Sequence, residues 1–364
     1  MRVGIVGGGQ LGRMLALAAH PLGIQVVSLD PGTLSPAAQV ADAIVGAYDD
    51  EAALAVLAQV ADVVTYEFEN VPVDTARWLE ARVPVLPPPA ALEGAQDRLA
   101  EKRLFEEIEL PVPAYVPVDD LDGLAGAIED VGLPAVLKSR RLGYDGKGQA
   151  VVRSTELAED AWRAVGAVPS LLETLVPFDR ELSIVGARGR DGATAFYPLV
   201  HNEHAAGILR VSRAWEDGVT ADLQRRAEDH ATMLMERLGY VGVLAIELFQ
   251  VGDQLLGNEF APRVHNSGHW TIEGAETSQF EQHLRAVAGW PLGPVHPRGS
   301  AAMVNLIGTL PDAPDILRIP GAHLHTYGKQ AREGRKLGHV TVVAGTPEAC
   351  EAAVGEVLEA LRGI

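Results

Sequence analysis

The chain has 364 residues, 47% of them hydrophobic and 22% charged, the composition of an ordered globular protein with room for two or three lobes. Asp and Glu number 49 against 30 Lys and Arg, and the formal net charge of −19 repels nucleic acid and anionic membrane, so an anionic ligand must be held by a local cluster of cations. Cys350 is the only cysteine, which excludes an intrachain disulfide and a cysteine-based zinc site, and no apolar run approaches the ~18 residues of a membrane span; the expectation is a soluble cytoplasmic protein with no nucleic-acid or membrane partner.

Residues 1 to about 90 alternate short apolar strands ("RVGIV", "QVVSL", "DAIVGA", "DVVTYE", "VPVLP") with helices over 10–20, 51–60 and 74–82. That alternation predicts a doubly wound parallel sheet. Its first turn, "GGGQLG", spells G-x-G-x-x-G through Gly7, Gly9 and Gly12, and Asp30 ends the second strand. A dinucleotide fingerprint has this form, but the helix N-terminus behind the turn favours any phosphate or other anion. "TYEFEN", with Glu67, Glu69 and Asn70, ends a parallel strand, where the ligand crevice of an open α/β sheet lies. "VLPPP" (85–89) breaks the pattern and reads as a linker.

A charged amphipathic helix over 96–108 follows, then the strand "PAVLKS", the glycine-rich loop "RRLGYDGKGQ", the strand "AVVRS" and a helix over 156–164. Lys138, Arg140, Arg141 and Lys147 place four cations within ten residues of a very acidic chain, among glycines that allow close backbone approach to an anion. Strand–loop–strand order and the absence of G-x-x-x-x-G-K-[ST] exclude a Walker-type site. "PSLLETLV" and "RELSIVGARG" continue as strands, and a helix spans 222–238.

A hairpin over 243–260 comes next, with its turn centred on Asp253. Pairing outward opposes Val251 to Leu255, Phe249 to Gly257 and Glu247 to Glu259. Two carboxylates at opposed positions repel unless a divalent cation lies between them, and hard oxygen ligands suit Mg²⁺ (or Mn²⁺) completed by phosphate oxygens. Alternation points Asn258 to the other face unless a bulge intervenes. The histidines of "HNEH" (His201, His204) and "RVHNSGHW" (His265, His269) have no H-E-x-x-H spacing and read as polar lining of a cleft, not a zinc site. After a helix over 278–288 and a second linker, "PLGPVHPRG", the remainder reads as a small, mostly β lobe. Its basic turn "YGKQAREGRKLGH" holds Lys329, Arg332, Arg335 and Lys336, a candidate phosphate clamp. Cys350 reads as a small apolar residue of the terminal helix.

These pieces stand in an order that resembles the ATP-grasp superfamily of carboxylate–amine ligases and, within it, the 5-(carboxyamino)imidazole ribonucleotide synthases of purine biosynthesis. "GGGQLGRM", "TYEFENVP", "RRLGYDGKGQ", "FYPLVHNEHAAGIL", "LGYVGVLAIELF", "NEFAPRVHNSGHWT", "VNLIG" and "GRKLGH" carry the resemblance across nearly the whole chain. It implies mixed α/β and α+β architecture in three parts: a doubly wound pre-ATP-grasp domain (1–92), a two-lobed ATP-grasp domain (93–292) and a β-rich C-terminal domain (293–364). It implies ATP, bicarbonate and 5-aminoimidazole ribonucleotide as substrates, carboxyphosphate as intermediate, Mg²⁺, and a homodimer.

Residue by residue, the resemblance gives the ATP phosphates to Arg98, Lys138 and Gly143, Tyr144, Asp145, Gly146, Lys147, Gly148 and Gln149. Adenine falls to Glu173, Thr174, Leu175 and Val176, ribose to Glu181, and the nucleotide cleft to His204 and Asn258. Glu247 and Glu259 would ligate the metal. Gln10, Leu11, Glu67, Asn266, Lys329, Arg335 and Lys336 would receive the ribonucleotide. Tyr144, Asp145, Arg263 and His265 would surround the reacting carbon, with Asp145 and His265 handling the amine proton. Three other readings stay open. One is a sister ligase, such as a formate-dependent glycinamide ribonucleotide transformylase or a biotin-carboxylating enzyme. The others are an NAD oxidoreductase resting on the N-terminal turn and a nucleotide sensor without turnover.

Overall fold

The computed structural model describes residues 1–143, 146–215 and 218–362. Four parallel strands open the chain, in the order Asp42–Val45, Gln25–Asp30, Arg2–Val6, Val63–Tyr66. The helices Gln10–Ala19, Glu51–Val60 and Val73–Glu80 alternate with them. The doubly wound expectation holds. The expected fifth strand, "VPVLP", shrinks to a single parallel bridge, Val64 to Val85. Its prolines explain this, because a proline cannot donate to a ladder. The stretch read as a linker is partly paired: Leu86 N donates to Val64 O, and Pro89 opens the helix Pro89–Ala95.

Two antiparallel sheets follow. The smaller orders Tyr115–Val118, Ser170–Thr174, Ala135–Ser139 and Gln149–Val152, with the helices Leu121–Val131 and Ala158–Ala164 closing its core. The larger has nine strands and contains the hairpin Gly242–Val251/Gln254–Ala261 at one edge. Its other end is built by the C-terminal strands: Ile208–Arg213 pairs with Ser300–Ile307, which pairs with Lys336–Ala344, which pairs with Ala322–Thr326. The C-terminal region therefore continues the central sheet, with a core of its own under the helix Pro347–Leu361. Cys350 is buried there, its thiol pushed up to about 12 by that burial, as an apolar position demands.

The first sheet is tied to the large one through His283, on the helix Gln279–Ala288. Its Nδ1 accepts from Val243 N at 3.1 Å, so the ring proton sits on Nε2, which reaches Thr65 Oγ1 at 2.8 Å. Burial pushes this imidazole down to about 4. A folded pKa below the unfolded value means that stability is complete above about pH 6.5 and falls as the unfolded chain takes up a proton. Shifted from 6.5 to about 4, His283 should cost about 3 kcal/mol of stability by pH 4. The variant His283→Asn keeps an acceptor for Val243 and does not titrate, so urea unfolding from pH 7 to pH 4 should show a shallower fall than wild type. Equal slopes would show that His283 takes no part in the pH dependence.

Candidate active site

Three amides of the glycine-rich N-terminal turn donate to the protein's own carboxylates. Gly9 N donates to Glu67 Oε1 at 2.5 Å, Gly12 N to Glu67 Oε2 at 2.8 Å, and Gly8 N to Asp30 Oδ2 at 2.8 Å. The anion at this helix N-terminus is the protein's own carboxylate. A methyl on Gly9 would lie 2.4 Å from Glu67 Oε1, so the glycine is needed for that carboxylate's approach. An anion does sit at this turn, as its amides favour, and because it is the protein's own the dinucleotide (NAD) reading loses its pyrophosphate site. Burial raises the Glu67 carboxyl, against the two amides and Lys329, which lower it. Lys329 from the C-terminal region reaches over to Gln10 Oε1, so Gln10, Glu67 and Lys329 converge. Leu11 packs in the core and offers the cleft only its backbone.

The hairpin holds Glu247 opposite Glu259 as expected, by a route the sequence did not show. The turn is two residues, Gly252-Asp253, with Val251 opposite Gln254 and Phe249 opposite Leu256. That register would set Glu247 against Asn258. A bulge on the second strand, at Asn258, restores the Glu247–Glu259 pair. It also lets Asn258 Oδ1 accept from Lys138 Nζ at 3.2 Å, so Asn258 reaches the cleft after all. The predicted pairs Val251/Leu255 and Phe249/Gly257 are thus each off by one. Burial and the neighbouring Glu259 push the Glu247 carboxyl up to about 7. Glu259 Oε2 meets Arg98 Nη1 at 3.0 Å. Among the described residues no group of three or more His, Cys, Asp or Glu is arranged to hold a metal ion. The protein offers two carboxylates on one sheet face, the donor set of a Mg²⁺ completed by phosphate oxygens.

Strand pairing places Ser183 beside Glu247 and Glu181 beside Phe249, on the same face. Glu181 Oε2 binds His204 Nδ1 at 2.7 Å. Burial would lower the His204 imidazole, but Glu181 and Glu247 override it and raise it. Phe178 stacks on Phe249, ring centroids 4.9 Å apart, and supplies an apolar wall that the sequence reading did not single out.

Lys138 lies on Ala135–Ser139 with its side chain 8% exposed and its ammonium against Glu173 Oε1. Glu173 Oε2 is 3.2 Å from Lys102 Nζ. Burial alone would raise the Glu173 carboxyl, yet Lys138, Lys102 and Arg98 hold it at about 2. The Glu173 side chain is thus an ion-pair centre, and the segment Thr174, Leu175 and Val176, half-buried, carries the remaining edge of that lobe. Above it the flap folds over. Gly146, at φ +75°, packs against Gly207, where a methyl on Gly146 would lie 2.8 Å from Gly207 Cα. Gly143 sits over Arg98 and Ser139, Ser139 N donates to Gly148 O at 2.7 Å, and Lys147 and Gln149 are exposed on the flap. Tyr144 and Asp145 lie outside the described residues.

Arg263 Nε binds Glu69 Oε2. Burial favours the neutral Glu69 carboxyl, but Arg263 holds it at about 2. His265 Nδ1 accepts from Ser267 N at 3.3 Å, which leaves the ring proton on Nε2, 3.3 Å from Glu247 Oε1. Burial, Arg263 and Lys336 push this imidazole down to about 3, so it stays neutral. Asn266 Nδ2 is buried with no hydrogen-bond partner among the described residues. Lys336 acts electrostatically on His204, Glu247 and His265, which brings the C-terminal strand to the same cleft. Arg335, one residue away, is half-buried and donates to Gln330 O. His269 is fully buried and does not line the cleft.

Glu101 and Lys102 are the charged groups that sequence reasoning left out. Glu101 is 2% exposed, pushed up to about 8 by burial and Glu259, and accepts from Phe260 N at 2.6 Å. On a helix rich in charge nothing in the sequence separates these two from solvated neighbours. Glu173→Gln leaves two ammonium groups without their shared anion. It should lose about 3–5 kcal/mol at pH 7 in urea unfolding. Because Glu173 titrates lower folded than unfolded, its contribution is present above about pH 4.5 and lost as pH falls towards 2, so the gap between variant and wild type should narrow across that window. A gap that stays constant would assign the loss to packing.

Comparison with known proteins identifies the family. Family models described as ribonucleotide synthetase preATP-grasp domain, ATP-grasp domain and phosphoribosylaminoimidazole carboxylase C-terminal domain match residues 1–96, 103–280 and 301–353. The N5-carboxyaminoimidazole ribonucleotide synthase of Pseudomonas aeruginosa is 49% identical over 98% of both chains. The crystal structure of the synthetase from Thermus thermophilus superposes with TM-score 0.94 at 55% identity, over 98% of this chain and 97% of that one. The Aspergillus clavatus enzyme, solved with ADP and 5-aminoimidazole ribonucleotide, superposes with TM-score 0.93 at 31% identity over 100% and 99% of the two chains. A cleft assembled from all three regions and similarity that runs the length of the chain lead to one conclusion: the protein belongs to the N5-carboxyaminoimidazole ribonucleotide synthase family of ATP-grasp ligases.

Proposed function

We propose that this cleft is where the chain, an ATP-dependent carbon–nitrogen ligase, carboxylates the exocyclic amine of 5-aminoimidazole ribonucleotide with bicarbonate, releasing ADP and phosphate in purine biosynthesis. The observation that carries the assignment of sites is the convergence of the Lys138 strand, the Glu247–Glu259 pair and the basic C-terminal turn on one cleft. Residues 1–92, 93–292 and 293–364 each supply one wall. Arg98, Lys138 and the flap Gly143–Gln149 take the ATP phosphates, and Thr174, Leu175, Val176 and Phe249 border the base. Glu181, with His204, takes the ribose. Glu247 and Glu259 hold Mg²⁺, which when bound neutralises charge on the phosphates. The acidic chain works in the cytoplasm as a homodimer.

Bicarbonate is a poor electrophile because delocalised negative charge shields its carbon. Phosphorylation by ATP gives carboxyphosphate, whose phosphate leaves as the amine attacks, directly or through released CO₂. Lys138 and Arg98 stabilise the transferring phosphoryl group. The flap excludes water from an intermediate that hydrolyses readily. Arg263, aimed by Glu69, and His265, neutral with its proton on Nε2, donate to the carboxylate being transferred. His265 acts beside Asp145 in this reading, and the amine proton is assigned to that pair. Gln10, Glu67, Asn266, Lys329, Arg335 and Lys336 receive the ribonucleotide, the basic three at its 5′-phosphate.

Glu259→Gln should fold normally and lose roughly 10²–10³ in kcat, the cost of removing one electrostatic stabiliser of about 3–4 kcal/mol. Activity within about twofold of wild type at saturating Mg²⁺ would make the pair ordinary surface.

Arg335→Ala should raise the KM for ribonucleotide on the order of 10- to 150-fold, since a charge-assisted bond to phosphate contributes about 1.5–3 kcal/mol. The KM for ATP should hold, whereas Lys138→Ala should weaken ATP first. Steady-state kinetics with one substrate varied at a time will separate the two. Equal loss for both substrates in Arg335→Ala would remove the division into two phosphate sites.

A further inference from the structure

Lys102 has no part in the roles assigned above, yet its side chain is 1% exposed. It sits on the helix Arg98–Glu107, four residues after Arg98, so the two side chains leave the same helix face. Its Nζ donates to Gly257 O at 3.2 Å and to Asn258 O at 3.0 Å, and lies 3.2 Å from Glu173 Oε2. Two of the ammonium's three donors go to these carbonyls, and Glu173 is its ion-pair partner.

The two carbonyls belong to the bulge. A bulge interrupts the ladder and leaves backbone groups that need another partner. Without it, the register of the hairpin end would continue, and Asn258 would stand opposite Glu247. Glu259 would then turn to the far face, because a one-residue slip exchanges the faces of a strand. Asn258 and Glu259 face the cleft together only while this extra residue is accommodated. We propose that Lys102 is a positioning residue whose ammonium pins the carbonyls of Gly257 and Asn258, and so holds the bulge that aims Asn258 at Lys138 and Glu259 at Glu247. A plain counter-ion for Glu173 would have no need of the carbonyls, and Lys138 already supplies a cation to that carboxylate.

The inference rests on the reading of Glu247 and Glu259 as the Mg²⁺ pair, and the test separates the two. Calorimetry would compare ADP with preformed Mg·ADP on wild type, Lys102→Met, Glu173→Gln and the double variant Lys102→Met/Glu173→Gln, alongside kcat. The double variant restores the net charge of the cluster but neither the clamp nor the anion beside Lys138, so it is read against Glu173→Gln alone. Wild type should bind Mg·ADP more tightly than ADP. Lys102→Met against wild type, and the double variant against Glu173→Gln, should each lose about tenfold of that gain, and kcat should fall at least about tenfold, the effect of losing charge-assisted bonds that orient a ligand-bearing strand. A double variant with the kcat and the gain of Glu173→Gln overturns the proposal, since Lys102 is then only a partner for Glu173. A double variant that no longer folds also overturns it, since Lys102 is then holding the lobes together. A wild type indifferent to Mg²⁺ removes the metal reading itself, and with it the purpose assigned to Lys102.

Discussion

Two ammonium groups share one carboxylate in the interior of this protein, and the cleft is organised around that arrangement. Glu173 comes from one strand of the small sheet and Lys138 from its neighbour, while Lys102 comes from a helix and touches the hairpin of the large sheet. Each of these ions costs several kcal/mol to bury, and mutual attraction offsets that only while the geometry is kept. The carboxylate cannot leave one lysine without leaving a buried charge unpaired. The cluster therefore couples the phosphate-facing strand to the bulge, and the small lobe to the large one.

The N-terminal turn follows the same logic. Its sequence has every formal mark of a dinucleotide site, and its physics is that of one: a helix N-terminus, glycines, converging amides. What differs is who supplies the anion. Glu67 comes from the end of a neighbouring strand and fills the place that a pyrophosphate would take. Asp30, which would hold a ribose in a dinucleotide enzyme, is occupied by Gly8 N, Gly32 N and Tyr48. The motif persists as a mount for Glu67, which stands beside Lys329 and Gln10.

Period and punctuation made the parallel sheet, the Lys138 strand, the long helices and the hairpin legible from residues alone. Local signals could not show which carboxylate ends up where. The opposition of Glu247 and Glu259 was read correctly through two compensating differences, a turn one residue shorter than assumed and a bulge one residue longer. Alternation counts residues, and a bulge is decided by what receives its carbonyls, here a lysine about 155 positions away in sequence. Lys102 and Glu101 escaped notice for the same reason. In a helix where six of ten residues are charged, burial is a tertiary fact. The continuation of the central sheet into the C-terminal strands was equally hidden, because an edge strand in sequence does not announce its neighbour.

The net charge of −19 frames the last step. An acidic surface rejects anions, so cations for an anionic ligand have to be gathered inward, and here they come from three regions of the chain. Gathered without partners they would repel one another. Four of them face a carboxylate: Arg98 faces Glu259, Arg263 faces Glu69, Lys138 faces Glu173, and Lys329 acts on Glu67. A phosphate entering alone would have to compete with these carboxylates and would leave Glu259 and Glu247 facing one another unneutralised. On the proposed reading, a ligand that carries its own divalent cation would meet both needs, its oxygens suiting the cations and its metal the carboxylates. If Glu247 and Glu259 hold Mg²⁺ as proposed, the pairing that makes so many gathered cations tolerable would also favour a metal–nucleotide complex over a bare anion.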